Sequence, residues 1–168
     1  MMKRHGARHA LIVLVLALAG AQGSLGALSG SSAPDFVLKS MTGENLRLSE
    51  YRGRVVLLAF WASWCGECRS QLEGLGSLYE RYSSAGLELL AVSLDTRRSQ
   101  VENAMRAARV AYPVVHDLGG EVGQLYDVSS MPLVVLIDRE GVVRDVFEGY
   151  KRGNEEVYLE RVRALMNE

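Results

Sequence analysis

Along this chain the hydrophobic pattern switches several times between the continuous apolar run of a doubly buried strand and the three-to-four-residue spacing of a helix face. The block 55–60, Val-Val-Leu-Leu-Ala-Phe, and the block 87–94 are uninterrupted enough to be central strands covered on both sides. Between them apolar side chains recur at Cys68, Leu72, Leu75, Tyr79 and Tyr82, which predicts a helix, although Gly74 and Gly76 each weaken it by roughly 1 kcal/mol. Val101, Ala104, Met105 and Ala108 mark a face of a second helix entered through Asp95-Thr96. A short strand at Val114-Val115 and a brief helix over 120–126 come next. Strands at 133–137 and 142–147 are joined by Asp138-Arg139-Glu140-Gly141, a link of hairpin length. Upstream, Phe36-Val37-Leu38 and Leu46-Arg47-Leu48 flank a turn at Met41-Thr42-Gly43-Glu44 and predict an N-terminal hairpin. Asn154 is the expected N-cap of a last helix, with Glu155 and Glu156 in its first turn. Strands interleaved with helices and then a hairpin imply an α/β domain, a mixed sheet with helices on both faces.

The first 33 residues break this pattern. Lys3, Arg4 and Arg8 precede an apolar run at 10–19, and Ala19-Gly20-Ala21 offers a small-residue cleavage site, so residues 1–21 read as a secretory signal peptide. The alternative is an uncleaved anchor through residues 10–28; a spanning helix needs about 20 apolar residues, and the strong run here is half that. Residues 22–33, rich in Gly, Ser and Ala, are expected to be a flexible tether, with the folded domain starting at Pro34. Export would place residues 34–168 in the periplasm or another extracytoplasmic space.

Composition narrows the function. The 168 residues are 48% hydrophobic and 23% charged, which excludes disordered and fibrous classes. Residues 1–21 hold three of the 19 basic and none of the 20 acidic residues, so residues 22–168 carry 16 against 20, a net charge of −4 where the whole chain has −1. An acidic domain lacks the basic footprint that nucleic acid requires. Two cysteines form at most one bridge, too few for a disulfide scaffold.

Those two cysteines, Cys65 and Cys68, are separated by two intervening residues where the strand 55–60 gives way to a helix. That spacing at a helix start brings the sulfurs within bridging reach, and the unpaired N–H groups and partial positive charge of the helix terminus acidify the first thiol. Thiolate is the reactive form. Cys65 is therefore expected to attack a substrate disulfide and Cys68 to resolve the mixed disulfide. A zinc site would need four ligands, and with His5 and His9 in the signal segment only His116 remains as a histidine partner. A structural bridge closing so small a loop would contribute little.

The residues around this pair carry a resemblance. Ala33-Pro34-Asp35-Phe36, Leu48-Ser49, 52–58, Phe60-Trp61-Ala62-Ser63-Trp64-Cys65, Gly86-Leu87-Glu88, Tyr126-Asp127-Val128, Met131-Pro132 and 136–141, in that order, resemble the thioredoxin superfamily and within it the TlpA/ResA-like periplasmic thiol–disulfide oxidoreductases. The resemblance implies a thioredoxin-like fold with an inserted helix and strand between Asp95 and Pro113. It implies a cis Pro132 facing the disulfide, Met131 offering backbone groups to a substrate, and Trp64, Gly66 and Glu67 in the substrate groove. It further implies no cofactor beyond the redox-active Cys65–Cys68 disulfide, protein thiol and disulfide substrates such as those of cytochrome c maturation, and a membrane thiol electron-transfer protein as donor.

The sequence departs from the family at three places. Gly66-Glu67 stands where thioredoxins have Gly-Pro, Ala59 replaces their buried acid, and Gln71 replaces the glutamate of ResA-like relatives, removing a titratable group. Two alternatives remain at this level: a peroxiredoxin-like peroxidase, whose peroxidatic Thr and Arg context is not reproduced, and a copper carrier using Cys65, Cys68 and His116.

Overall fold

The apolar runs become neighbouring strands at the centre of a five-stranded sheet. The computed structural model describes residues 28–168. Its elements in chain order are β1 (Val37–Lys39), β2 (Asn45–Arg47), β3 (Val55–Trp61), α1 (Cys68–Tyr82), β4 (Leu87–Ser93), α2 (Arg98–Ala107), β5 (Val114–His116), α3 (Glu121–Leu125), β6 (Leu133–Ile137), β7 (Val143–Glu148) and α4 (Asn154–Met166). The sheet order is β5-β4-β3-β6-β7; β3, β4 and β5 run parallel and β6 and β7 antiparallel to their neighbours. Every residue of β3 and β4 is buried, which is why neither strand alternates polar and apolar.

Strand geometry sends alternate side chains to opposite faces, and two cores result. Val55, Leu57, Ala59 and Trp61 face one core with Leu72 and Leu75 of α1 and Tyr158 and Val162 of α4, while Val101 of α2 completes it. Val56, Leu58 and Phe60 face the other, which α3 and the N-terminal hairpin cover through Val122, Phe36 and Leu48. Phe36 meets Tyr126 edge-on at 6.2 Å, and the Tyr126 hydroxyl donates to the Pro34 carbonyl at 2.7 Å, fastening the segment before the hairpin to the end of α3. Asp35 adds to this: burial alone would raise its carboxyl, but the Ser49 N–H and the Arg47 guanidinium hold it below the ordinary value.

Three expectations need correction. Residues 28–33 are not a free tether: Gly30 N–H donates to Val143 O at 2.7 Å, Val143 N–H to Ser31 O at 2.9 Å and Ala33 N–H to Gly141 O at 2.9 Å. Because β7 is an edge strand, its unpaired backbone groups need a partner, and a run of small residues can lie close enough to supply one. Helix α1 begins at Cys68, so Cys65 occupies the turn before it. Helix α4 is capped by Gly153 at φ 98°, one residue before Asn154, because the Glu155 carboxylate accepts the Gly153 N–H at 2.9 Å. The signal peptide and all but the last residue of the alternative anchor lie outside the described residues, in which no helix is long and apolar enough to cross a membrane.

Gly141 sits at φ +78° in the β6–β7 turn, and a Cβ there would run into the Arg52 guanidinium. Gly141→Ala is expected to cost about 2 kcal/mol by adding left-handed strain to that collision, read as a lowered denaturation midpoint at unchanged slope.

Candidate active site

The site is a turn between the end of β3 and the start of α1. Cys65 N–H donates to Ala62 O at 3.1 Å and Cys68 N–H to Cys65 O at 3.3 Å, a tight path that brings the two Cα atoms to 5.3 Å. The sulfurs are bonded at 2.08 Å. Cys65 is half-buried, whereas Cys68, on the inner face of α1, is 1% exposed. Of the two sulfurs, that of Cys65 is therefore the accessible one and that of Cys68 the sealed one. Cys65 also lies just ahead of a 15-residue helix whose N-terminal N–H groups favour a thiolate.

What fixes this turn is a residue that sequence patterning treats only as a helix entry. Asp95, fully buried beyond the end of β4, accepts the Ser63 N–H at 3.0 Å, the Ser63 hydroxyl at 2.6 Å and the Ser93 hydroxyl at 2.9 Å. Ser63 is two residues from Cys65, so the carboxylate grips the turn from beneath. His116 Nε2 donates to the Asp95 carbonyl at 2.6 Å, which occupies it behind the turn. No group of three metal-ligating side chains that would unite His116 with the cysteines exists among the described residues. The acid at the end of an apolar strand was the available signal, and its meaning depends on β3 and β4 being neighbours.

The opposite wall comes from the loop before β6. The Met131–Pro132 peptide is cis, Pro132 is buried, and Met131 shares with Trp64, Cys65, Gly66 and Glu67 the lining of a hollow of about 530 Å³. Trp64 is 67% exposed and borders this hollow, while Phe60 and Trp61 are core. The two walls are linked through adjacent peptides: Gly149 N–H donates to Pro132 O at 2.8 Å, and Tyr150 N–H to Glu67 Oε2 at 3.3 Å. Glu67 is thus a tie between the cysteine turn and the loop leading to α4. Burial, reinforced by the neighbouring Glu155 carboxylate, pushes the Tyr150 phenol up to about 12. Gln71 is fully buried one turn after Cys68, and its Nε2 donates to the Tyr158 hydroxyl at 3.5 Å. On the other side of Cys65 a smaller cavity of about 300 Å³ opens between α1 and α2, bordered by Trp61, Arg69 and Asn103.

Comparison with known proteins agrees with this geometry. The model of the AhpC/TSA family matches residues 29–146. The chain belongs to that family. Within it, the thiol-disulfide oxidoreductase ResA of Geobacillus kaustophilus (strain HTA426) is 38% identical over 120 residues, covering 71% of this chain and 69% of that protein. ResA of Bacillus subtilis (strain 168) is 38% identical over 120 residues, covering 71% and 67%. Among solved structures, a Chlorobium tepidum protein named thiol:disulfide interchange protein DsbE superposes with TM-score 0.79 at 33% identity, covering 82% of this chain and 97% of that one. The fold is thioredoxin-like, and the chain is a thiol–disulfide oxidoreductase of the ResA-like type.

Proposed function

We propose that the protein works outside the cytoplasm as a dithiol reductant of selected protein disulfides and is itself recharged by a membrane thiol electron-transfer protein. The observation that carries this reading is the unequal access of the two sulfurs, with Cys65 open to the hollow and Cys68 sealed behind it. The Cys65 thiolate attacks a substrate disulfide: a Cys65–substrate bond forms, the substrate S–S bond breaks, and one substrate thiolate leaves. Cys68, deprotonated, then attacks Cys65 Sγ; the intramolecular disulfide forms and the second substrate thiol is released. Two electrons and two protons pass to the substrate, and the donor dithiol restores them by the same exchange run backwards. No further cofactor enters this scheme. Met131 lends backbone groups to the substrate strand beside Cys65, with Pro132 shaping that wall. The resemblance to TlpA/ResA-like proteins supports apocytochrome c as a substrate class, and the acidic charge of residues 22–168 argues against nucleic acid.

The reading is tested on the purified protein by redox titration and by insulin reduction. A reductant is expected to show a Cys65/Cys68 potential near that of thioredoxin, about −270 mV, and to precipitate insulin B chain in the presence of a dithiol. A potential near −120 mV would make it an oxidant instead. Peroxide consumption faster than disulfide exchange would turn the reading to a peroxidase.

A further inference from the structure

The hollow at Cys65 does not end at the redox pair. Leu94, Val128 and Ser129 line both it and a second hollow of about 340 Å³ that reaches Gly123, Gln124 and Asp127. Together they make one open groove with Cys65 toward one end and Asp127 toward the other. Its walls are largely apolar between those ends, through Trp64, Leu94, Val128 and Met131. Trp64, 67% exposed, gives this groove an open apolar wall, as a protein-binding face requires.

The charges along the groove are of one sign. Apart from Cys65, its ionisable side chains among the described residues are Glu67 and Asp127; no lysine or arginine lines it. A third carboxylate, Glu148, is held at the rim by the Ser130 hydroxyl at 3.0 Å. Asp127 itself is exposed, in a left-handed conformation at φ 51° fixed by its N–H donation to Gln124 O at 3.0 Å. An apolar trough with carboxylates at its ends is complementary to an extended segment whose charged side chains are cationic.

We propose that this groove selects substrate segments carrying a lysine or arginine near the target cysteine, with Asp127 receiving the cation and Leu94 and Val128 receiving an intervening apolar side chain. The inference rests on the reading of the chain as a protein-disulfide reductase and adds the substrate's chemistry to it. Reach sets the spacing. Met131, beside the reacting sulfur, is four residues from Asp127, a path of at most about 14 Å, so the cation lies within about four residues of the cysteine.

The experiment measures second-order rate constants for reduction of synthetic disulfide peptides by the reduced full-length protein. The peptides carry Lys, Ala or Glu at each of the four positions on either side of the cysteine. At low salt the best Lys peptide is expected to react about fivefold faster than its Ala counterpart, and the Glu peptide more slowly still. The preference is expected to collapse above about 0.5 M salt, where the Debye length falls to a few ångströms. Asp127→Asn, which retains a residue tolerant of the left-handed backbone, is expected to bring the Lys/Glu rate ratio close to one, and Asp127→Lys to invert it. Equal rates for Lys, Ala and Glu peptides in the wild type, with all of them reduced, would overturn the cation preference and leave the reductase reading standing. Failure to reduce any peptide disulfide would overturn that reading and the preference with it.

Discussion

Cys65→Ser is expected to lower disulfide-exchange activity by on the order of a thousandfold or more, to the background of the assay, because it removes the accessible thiol of the pair. Cys68→Ser is expected to fail differently. Its Cys65 still attacks, but nothing resolves the product, so a stable mixed disulfide accumulates and is read by mass spectrometry on a non-reducing gel band. The two outcomes are not interchangeable, because Cys68 is 1% exposed on the inner face of α1 and Cys65 lines the open hollow. A Cys65→Ser protein that trapped substrate through Cys68 at a comparable rate would refute the assignment of roles, since burial would then not be controlling access.

That division of labour was half legible from sequence. The spacing at a strand-to-helix junction locates the pair, whereas the unequal exposure of its two sulfurs depends on how α1 packs. The continuous runs of β3 and β4 were equally readable, because a strand buried on both faces has no polar period to disguise it. Relations between distant segments could not be read. Glu67, placed by resemblance in the substrate groove, also accepts the Tyr150 N–H from 83 residues away, and no pattern around Glu67 announces that partner. Residues 28–33 show the same limit: their composition suits a flexible linker, yet they pair with residues 141–143 because an edge strand is there to receive them. Composition reports what a segment could do alone, and a neighbouring sheet edge changes the answer. The groove as a whole combines both kinds of information, since Cys65 and Pro132 stand out in the chain while Leu94 and Asp127 join them only through the β-sheet order.

Asp95→Ala is expected to cost about 3 kcal/mol of stability and to slow disulfide exchange at least about tenfold, both from the loss of one carboxylate. The buried carboxylate accepts from the Ser63 N–H and hydroxyl on its outer side, where Ser63 is exposed, and from the buried Ser93 hydroxyl on its inner side. Truncation leaves the buried Ser93 hydroxyl without its acceptor and releases the Ser63 donors to water, and a hydrogen bond to a charged acceptor contributes about 1.5–3 kcal/mol where a neutral one contributes about 1. The kinetic effect has a separate origin. Ser63 is the last fixed point of the turn before Trp64 and Cys65, so releasing it lets the nucleophile wander from the mouth of α1, where the helix terminus favours its thiolate. Ser63→Ala, which keeps the backbone N–H bond and removes only the hydroxyl, separates the two effects: stability is expected to fall by about 1 kcal/mol while most of the exchange rate survives. Asp95→Asn keeps the shape but turns one acceptor into a donor facing donors, and is expected to lie between them. Urea denaturation and single-turnover exchange on the same samples read both quantities. If Asp95→Ala unfolded within about 0.5 kcal/mol of the wild type, the carboxylate would not be holding this turn, and positioning of Cys65 would have to come from the Ala62 and Glu67 contacts alone.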